Sequence, residues 1–278
     1  ILFAYAPNVD AANAGRFITG AGGAAIYACA IKIAHIWFDA KRFALLGGAT
    51  ILIGMFGATL GQAPVAVLIE IDGWRPVMFW VALAALPLGA FALLSHRSPP
   101  IERTSVNSSR QLFALMLQTV RSRRYWTITL YAAMIAGPSI SFPVWGIAYY
   151  MQVLGYARAE AALFTTVALL GWAFGSLSAG WILGRIKRRK IAAIGCAAFS
   201  LLSWSLFVAF PGMPEIAHYI VMLVIGISAG GIVVGFILIA DTSPPDAVGT
   251  ATAITNTLVM LASAAILLIM GHVLDLLW

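Results

Sequence analysis

Residues 160–211 read EAALFTTVALLGWAFGSLSAGWILGRIKRRKIAAIGCAAFSLLSWSLFVAFP and contain two long apolar runs around a basic loop. Residues 161–184 and 191–211 carry no charged side chain. A helix needs about 20 apolar residues to cross the roughly 30 Å hydrocarbon core of a bilayer. The connecting residues 185–190 contain five basic side chains. The stretch therefore predicts two membrane-spanning helices joined by a short basic loop.

The rest of the 278-residue chain has the same character, since 62% of its residues are hydrophobic, 10% are charged and the mean hydropathy is +0.94. This composition excludes a soluble domain and predicts an integral membrane protein. Long uncharged runs punctuated by glycine and proline favour helices over the short alternating strands of a membrane barrel. We therefore predict an all-α membrane protein, a polytopic helical bundle.

Charged and turn residues divide the chain into eight predicted spans. The opening Ile1–Ala6 is too short to span and precedes Pro7, so it is interpreted as the last turns of a helix that begins upstream. The spans lie at about residues 12–38, 43–70, 76–95, 125–153, 160–184, 191–211, 218–241 and 248–271.

The basic residues predict the orientation. Thirteen of the 17 Lys and Arg residues lie in loops that follow odd-numbered spans, Arg75 and Arg158 lie in the other loops, and Arg16 and Lys32 lie inside the first span. Cytoplasmic loops are enriched in Lys and Arg, so the odd-numbered loops are predicted to be cytoplasmic. The net charge of +7 is then a topology signal, and we expect the lipid bilayer, not nucleic acid, as a partner.

Residues 96–124 form the longest polar connection and divide the chain into three parts. We predict the end of an N-terminal half at residues 1–95, a cytoplasmic linker at 96–124 and a C-terminal half at 125–278. The linker carries an amphipathic stretch at residues 110–121, which is predicted to lie as a helix on the inner headgroups. A solvated tether without further function is the alternative.

Four short motifs share their order and spacing with one family of transporters. They are Arg16-x-x-x-Gly20-x-Gly22-Gly23, Gly54-x-x-Gly57-x-x-x-Gly61-x-x-Pro64, Asp72-Gly73-Trp74-Arg75, and Gly180-x-x-x-Gly184-Arg185 with the basic run to Lys190. Together they resemble the fourth-helix, fifth-helix, outer-loop and second basic-loop motifs of the major facilitator superfamily. Two departures stand out: no glycine pair follows Pro64, which weakens an antiporter assignment, and Gly184 stands where an aspartate is usual.

The resemblance implies a secondary transporter of the bacterial inner membrane, not an enzyme, in which two six-helix halves rock to alternate access. On this mapping the chain runs from the end of helix three through helix eleven of a twelve-helix parent, without helices one, two and twelve, and acts as a monomer. A finer likeness in residues 32–38, 42–45 and 61–64 points to bacterial importers of amino acids and nucleosides known from bacteria that live in host phagosomes.

Polar groups inside the spans are the first candidates for substrate binding. Ionisable side chains are costly there and therefore indicate function. Arg16 and Lys32 are 16 residues apart, or about 160° around the helix, so one is expected to bind substrate while the other supports packing. Snorkelling to the interface is the alternative. Gln62 and Asn256 are further candidates, with interhelical hydrogen bonding as their alternative.

A polar aromatic stripe in the fourth span completes the predicted site. Trp145, Tyr149 and Gln152 follow helical spacing and offer hydrogen bonds and flat surfaces to an amphipathic solute. Upstream, Pro138 and Pro143 are expected to bend the helix and expose carbonyl groups. A belt at the membrane interface is the alternative for the tyrosine.

Small residues are predicted to set helix packing. Glycines four residues apart let two helix backbones approach and slide. The residues assigned to this role are Gly20, Gly23, Gly57, Gly61, Pro64, Gly171 and Gly175. Arg185, Arg188 and Arg189 of the basic loop are predicted to anchor the topology, with a gating ion pair as the alternative.

The sequence contains no motif for catalysis. Its four histidines are scattered, so no metal site is predicted, and no P-loop or nucleophile motif suggests a cofactor. Arg16 and Lys32, without an acid deep in any span, favour a carboxylate-bearing or neutral substrate: an amino acid, a nucleoside or an organic acid. A proton is the candidate coupling ion in symport. The alternatives are a drug/proton antiporter and a non-transporting membrane sensor or assembly subunit.

Overall fold

A computed structural model of the chain describes residues 1–61, 63–95, 109–186, 188–244 and 247–277. These residues form eleven helices and no strand. The helices are α1 (Val9–Trp37), α2 (Ala40–Leu60), α3 (Ala63–Asp72), α4 (Trp74–Ser95), α5 (Ser109–Arg121), α6 (Arg123–Gln152), α7 (Arg158–Leu183), α8 (Arg189–Ala209), α9 (Glu215–Ala229), α10 (Ile232–Thr242) and α11 (Val248–Leu277). Eight of the described segments are long and apolar enough to cross a membrane. The predicted all-α polytopic fold is confirmed.

The second predicted span, residues 43–70, was wrong in extent because it forms two helices. α2 ends at Leu60, α3 begins at Ala63, and Gly61 caps α2. Pro64 has no N–H to donate to the Leu60 carbonyl, and its ring crowds that carbonyl, so a regular helix stops here. The candidate site residue Gln62 lies outside the residues that the structure describes.

The seventh predicted span also has two parts. Gly230 and Gly231 join α9 to α10 with near-helical backbone angles, and the Gly231 N–H donates to the Ser228 carbonyl at 3.0 Å. This three-residue spacing is a tighter turn than an α-helix and is common at helix junctions. The two helices still form one span of 28 residues, Glu215–Thr242. In contrast, α6 runs unbroken through Pro138 and Pro143.

A helix occupies the linker where the amphipathic stretch was predicted. α5 begins at Ser109 and ends at Arg121, and residues 96–108 lie outside the described part of the chain. The indole N–H of Trp126, at the start of α6, donates to the Val120 carbonyl at 2.7 Å. This bond fixes the last turn of α5 against the beginning of α6.

α7 is the central helix of the bundle, because it packs extensively against α2 on one side and α9 on the other. Glycine lies at both crossings. A Cβ atom placed on Gly48 of α2 would overlap the Ser176 carbonyl of α7, and one placed on Gly180 of α7 would overlap the Ala44 carbonyl of α2. The two helices therefore touch backbone to backbone, as small residues permit in membranes.

The α7–α9 crossing is built in the same way. A Cβ atom on Gly171 would overlap the Leu223 carbonyl, and one on Gly175 would overlap the Ile227 carbonyl. From the opposite side, a Cβ atom on Gly226 would overlap the carbonyl of Ala168. Gly171 and Gly175 thus lie at a close crossing of the kind expected from their spacing.

The other glycines assigned to packing have no such neighbour. A Cβ atom on Gly20, Gly23 or Gly57 would meet nothing within 4 Å, and one on Gly61 would meet only carbonyls of its own helix, at 3.4 Å. Among the described residues, no helix crosses α1 or α2 at these positions. The four-residue spacing permits a close crossing but does not by itself predict that a second helix packs there.

We expect the loops to follow the charge asymmetry of 13 basic residues against two. Asp72→Cys and Arg188→Cys place single thiols at exposed positions, at the end of α3 and in the basic loop, in a background where Cys29 and Cys196 are alanine. A membrane-impermeant maleimide should label Asp72→Cys in intact cells and Arg188→Cys only after permeabilisation. The opposite pattern would overturn the orientation.

Candidate functional site

Three of the predicted site residues lie on α11 or contact it at separate points. The Lys32 side chain lies against Gly249, where an added Cβ atom would be 3.0 Å from its Cδ atom. The Trp145 indole donates to the Leu267 carbonyl at 3.1 Å. At 1.5 Å per residue, the two contact points are about 27 Å apart. Asn256 lies between them and is half-buried. Lys32 and Trp145 therefore cannot bind one small molecule together.

The aromatic stripe of α6 does not form one surface. Trp145 faces α11, whereas the Tyr149 ring packs against Phe207 of α8 with ring centroids 5.7 Å apart. Gln152 is exposed at the last residue of α6. α6 contacts both α8 and α11. Long side chains one turn apart on α6 can therefore reach different helices.

A face of α1 other than that of Lys32 is exposed at one end, called the open end, and half-buried at the other, called the closed end. Arg16, Gly20, Gly23 and Tyr27 recur at helical spacing and share this face, with Arg16 and Tyr27 about 16 Å apart along the axis. Both glycines are exposed, and an added Cβ atom at either would meet nothing within 4 Å. At the open end, the Arg16 guanidinium lies over the Phe3 ring, 4.7 Å from its centroid. We call these four residues the α1 face.

The closed end of the α1 face meets α10. The Tyr27 ring packs on Phe236 of α10 at 4.6 Å between centroids. Its hydroxyl is buried and has no hydrogen-bond partner within the described part of the chain. Nearby on α10's junction with α9, the Gly231 carbonyl accepts a hydrogen bond of 2.9 Å from the Tyr131 hydroxyl. A buried hydroxyl without a partner is costly, so the Tyr27 hydroxyl is left unsatisfied among the described residues.

Electrostatics favour an anion at the open end. Across the described ranges, one ion pair is formed, and it includes neither Arg16 nor Lys32. The aromatic ring of Phe3 stabilises the Arg16 cation without neutralising it. No group of three or more His, Cys, Asp or Glu side chains in these ranges could hold a metal ion. The α1 face therefore presents a free guanidinium without a competing carboxylate.

The ion pair lies in the basic loop. Arg189, at the start of α8, donates to the Asp241 carboxylate at the end of α10, and the side chains are 16% and 35% exposed, respectively. Arg185 instead covers the Trp181 ring at 3.5 Å, and Arg188 is exposed. Arg189 is thus paired with a carboxylate, and a gating role for this pair stays a prediction.

Sequence reasoning missed Tyr27, Tyr131 and Asp241. Tyr27 could have been predicted from the sequence, because it lies eleven residues after Arg16 and hence about 20° from it around the helix. Asp241 follows Arg189 by 52 residues, and no spacing rule links side chains on two different helices. The Tyr131 contact depends on the α9–α10 junction, which only the tertiary structure reveals.

Comparison with known families bears on the chain as a whole. The family model described as Major Facilitator Superfamily matches residues 1–267, which include all the helices from α1 to α10 and most of α11. A search of curated proteins finds no match.

Proposed function

Since the chain belongs to the Major Facilitator Superfamily, a family of secondary transporters, we propose that it carries a small carboxylate-bearing or neutral metabolite across a bacterial inner membrane. The proposed substrates are amino acids, nucleosides and organic acids. The proposal rests on the α1 face, which has a free cation at its open end and an unpaired buried hydroxyl at its closed end.

The α1 face suits such a solute chemically. A guanidinium can donate two parallel hydrogen bonds to a carboxylate, which gives both strength and orientation. Gly20 and Gly23 leave room for a molecule to pass along the helix, because they have no side chain there. At the far end, the Tyr27 hydroxyl can donate to or accept from a polar group, and its ring offers a flat apolar surface.

The α2–α7 crossing supports the alternating-access part of the proposal. It joins the predicted N-terminal and C-terminal halves through Gly48 and Gly180, with no side chains between the backbones. Such a smooth contact lets two helices slide without repacking large side chains. We propose proton symport as the coupling, because the motif around Pro64 departs from the antiporter pattern.

Arg16→Ala is expected to weaken apparent affinity for an anionic substrate about 10- to 100-fold, without changing membrane abundance. A charge-assisted hydrogen bond contributes about 1.5–3 kcal/mol, and each 1.4 kcal/mol is tenfold. The measurement is uptake of radiolabelled amino acids, nucleosides and organic acids by cells that express the gene, with KM compared between variants.

Arg158→Ala is the matched control, since Arg158 is an exposed arginine at the start of α7, on a different helix from the α1 face. Its KM should stay near the wild-type value. Equal changes in both variants would indicate a general loss of surface charge. Unchanged kinetics of Arg16→Ala for every transported solute would refute the site.

A further inference from the structure

The junction of α5 and α6 carries a basic surface that belongs to neither the α1 face nor the ion pair. α5 ends at Arg121 and α6 begins at Arg123, so one residue separates the linker helix from a membrane span. Residues 109–126 contain four arginines and no Asp or Glu. We call residues 109–126 the α5–α6 elbow.

One stripe of α5 is exposed although two of its three members are apolar. Phe113, Leu117 and Arg121 recur every four residues and lie within about 80° of one another around the helix. The exposed fractions of Phe113 and Leu117 are 65% and 41%. In helices that lie on a membrane surface, such side chains enter the acyl boundary, while a neighbouring guanidinium reaches the headgroups. The stripe therefore suits contact with lipid.

The elbow holds this stripe close to the membrane surface. The span of α6 starts at Arg123, so the last turn of α5 lies where that span enters the membrane. The Trp126 indole N–H donates to the Val120 carbonyl at 2.7 Å, and the Trp126 side chain is 45% exposed. Tryptophan is enriched at the membrane–water interface. The bond therefore joins the end of α5 to a residue typical of the headgroup level.

The positive charge of the elbow is not neutralised within the described part of the chain. The ion pair found there joins Arg189 to Asp241 and includes no arginine of the elbow. Arg121, Arg123 and Arg124 are exposed. A guanidinium can donate two parallel hydrogen bonds to phosphate oxygens. Clusters of basic residues beside a span or on an amphipathic helix attract anionic lipids, so the charge of the elbow complements that of a lipid phosphate.

We propose that the elbow binds the headgroup phosphate of an anionic phospholipid, in the leaflet that faces the basic loops. Arg121, Arg123 and Arg124 bind the phosphate, and Phe113 and Leu117 enter the acyl layer beside it. The apolar stripe distinguishes this site from a basic loop alone and selects a lipid over free inorganic phosphate. The bound lipid holds α5 along the membrane surface at the start of α6.

Native mass spectrometry of the full chain tests the site, with phosphatidylglycerol and phosphatidylcholine of identical acyl chains in equal amounts. The wild-type protein should bind phosphatidylglycerol preferentially. The triple variant Arg121→Gln/Arg123→Gln/Arg124→Gln should bind it about 100-fold more weakly, because each basic side chain near an anionic surface contributes somewhat less than a factor of ten. Equal binding of the two lipids by the wild type, or unchanged binding by the triple variant, overturns the proposal.

A second triple variant is the matched control. Arg185→Gln/Arg188→Gln/Lys190→Gln removes the same charge from exposed positions of the basic loop between α7 and α8, which carries no amphipathic helix. Its binding of phosphatidylglycerol should fall less than threefold. An equal loss in the two triple variants would show a general charge effect and refute a dedicated site at the elbow.

Hydrogen exchange of residues 109–121 in nanodiscs separates lipid from other occupants. Addition of phosphatidylglycerol to phosphatidylcholine nanodiscs should slow this exchange severalfold in the wild type, and inorganic phosphate should not. Equal exchange in both bilayers, or slowing by inorganic phosphate alone, refutes the lipid site. A dimer that Phe113→Glu dissociates would assign the stripe to a second copy and also refute it. The wild-type comparison decides the matter if the triple variant does not fold.

Discussion

Gly226→Leu is expected to lower the amount of folded protein in the membrane severalfold and to lower its melting temperature. The Ala168 carbonyl would overlap the first added atom, and the Gly171 Cα atom would be 2.9 Å from it. Overpacking costs about 1–3 kcal/mol in typical cores. Both opposing atoms here are backbone, which cannot rotate away, so we expect a cost of about 3 kcal/mol or more. The loss should not depend on which substrate is assayed.

Gly195→Leu is the control for this experiment. Gly195 is exposed on α8, and a Cβ atom placed there would meet nothing within 4 Å. Its leucine variant should therefore keep wild-type abundance and thermal stability, measured by fluorescence-detected size exclusion in detergent after heating. Equal behaviour of the two variants would contradict the α7–α9 crossing.

Asp241→Ala is expected to reduce transport about tenfold. The variant leaves the largely buried Arg189 side chain without its carboxylate, and removing one partner of a buried pair costs about 3–5 kcal/mol. Because Asp241 is 35% exposed, water compensates part of that cost, and we expect about 1–2 kcal/mol. The bond joins α8 to α10 within the predicted C-terminal half, so its loss should loosen that half and slow the transport cycle.

A double-mutant cycle separates this coupling from general damage. The combined variant Arg189→Ala with Asp241→Ala should transport better than the sum of the single effects predicts, because no unpaired charge remains. Arg188→Ala, at the exposed neighbouring position, should transport normally. Additive effects at Arg189 and Asp241 would show that the ion pair has no role in the transport cycle.

The span count could be predicted from the sequence because the bilayer fixes the length of each apolar run. The division at Pro64 was harder to predict, since hydropathy stays high on both sides of the proline although α2 ends at Leu60 and α3 begins at Ala63. The sequence could not predict which helices pack against each other. Gly57–Gly61 and Gly171–Gly175 have the same spacing, but only the second pair meets another helix in the described part of the chain.

The candidate site was predictable only within single helices. Arg16 and Tyr27 share a face by simple periodicity, whereas Lys32 and Trp145 were grouped by chemistry although they contact α11 at points 18 residues apart. The indoles of Trp172 and Trp204, which have no hydrogen-bond partner among the described residues, could not be predicted, because tryptophan fits equally well in a plain apolar core. Residue spacing predicts which side chains share a face of one helix. Which side chains of different helices lie together can be known only from how the helices pack.

The α2–α7 crossing also sets the order of events while the protein is made. Gly48 and Gly180 are 132 residues apart, and ribosomes add about 5–20 residues per second, so α2 waits about 7–26 s for its partner. During that interval its glycine face is open to lipid and to any other helix with small residues. The contact between the two halves at this crossing therefore cannot form before α7 has been synthesised.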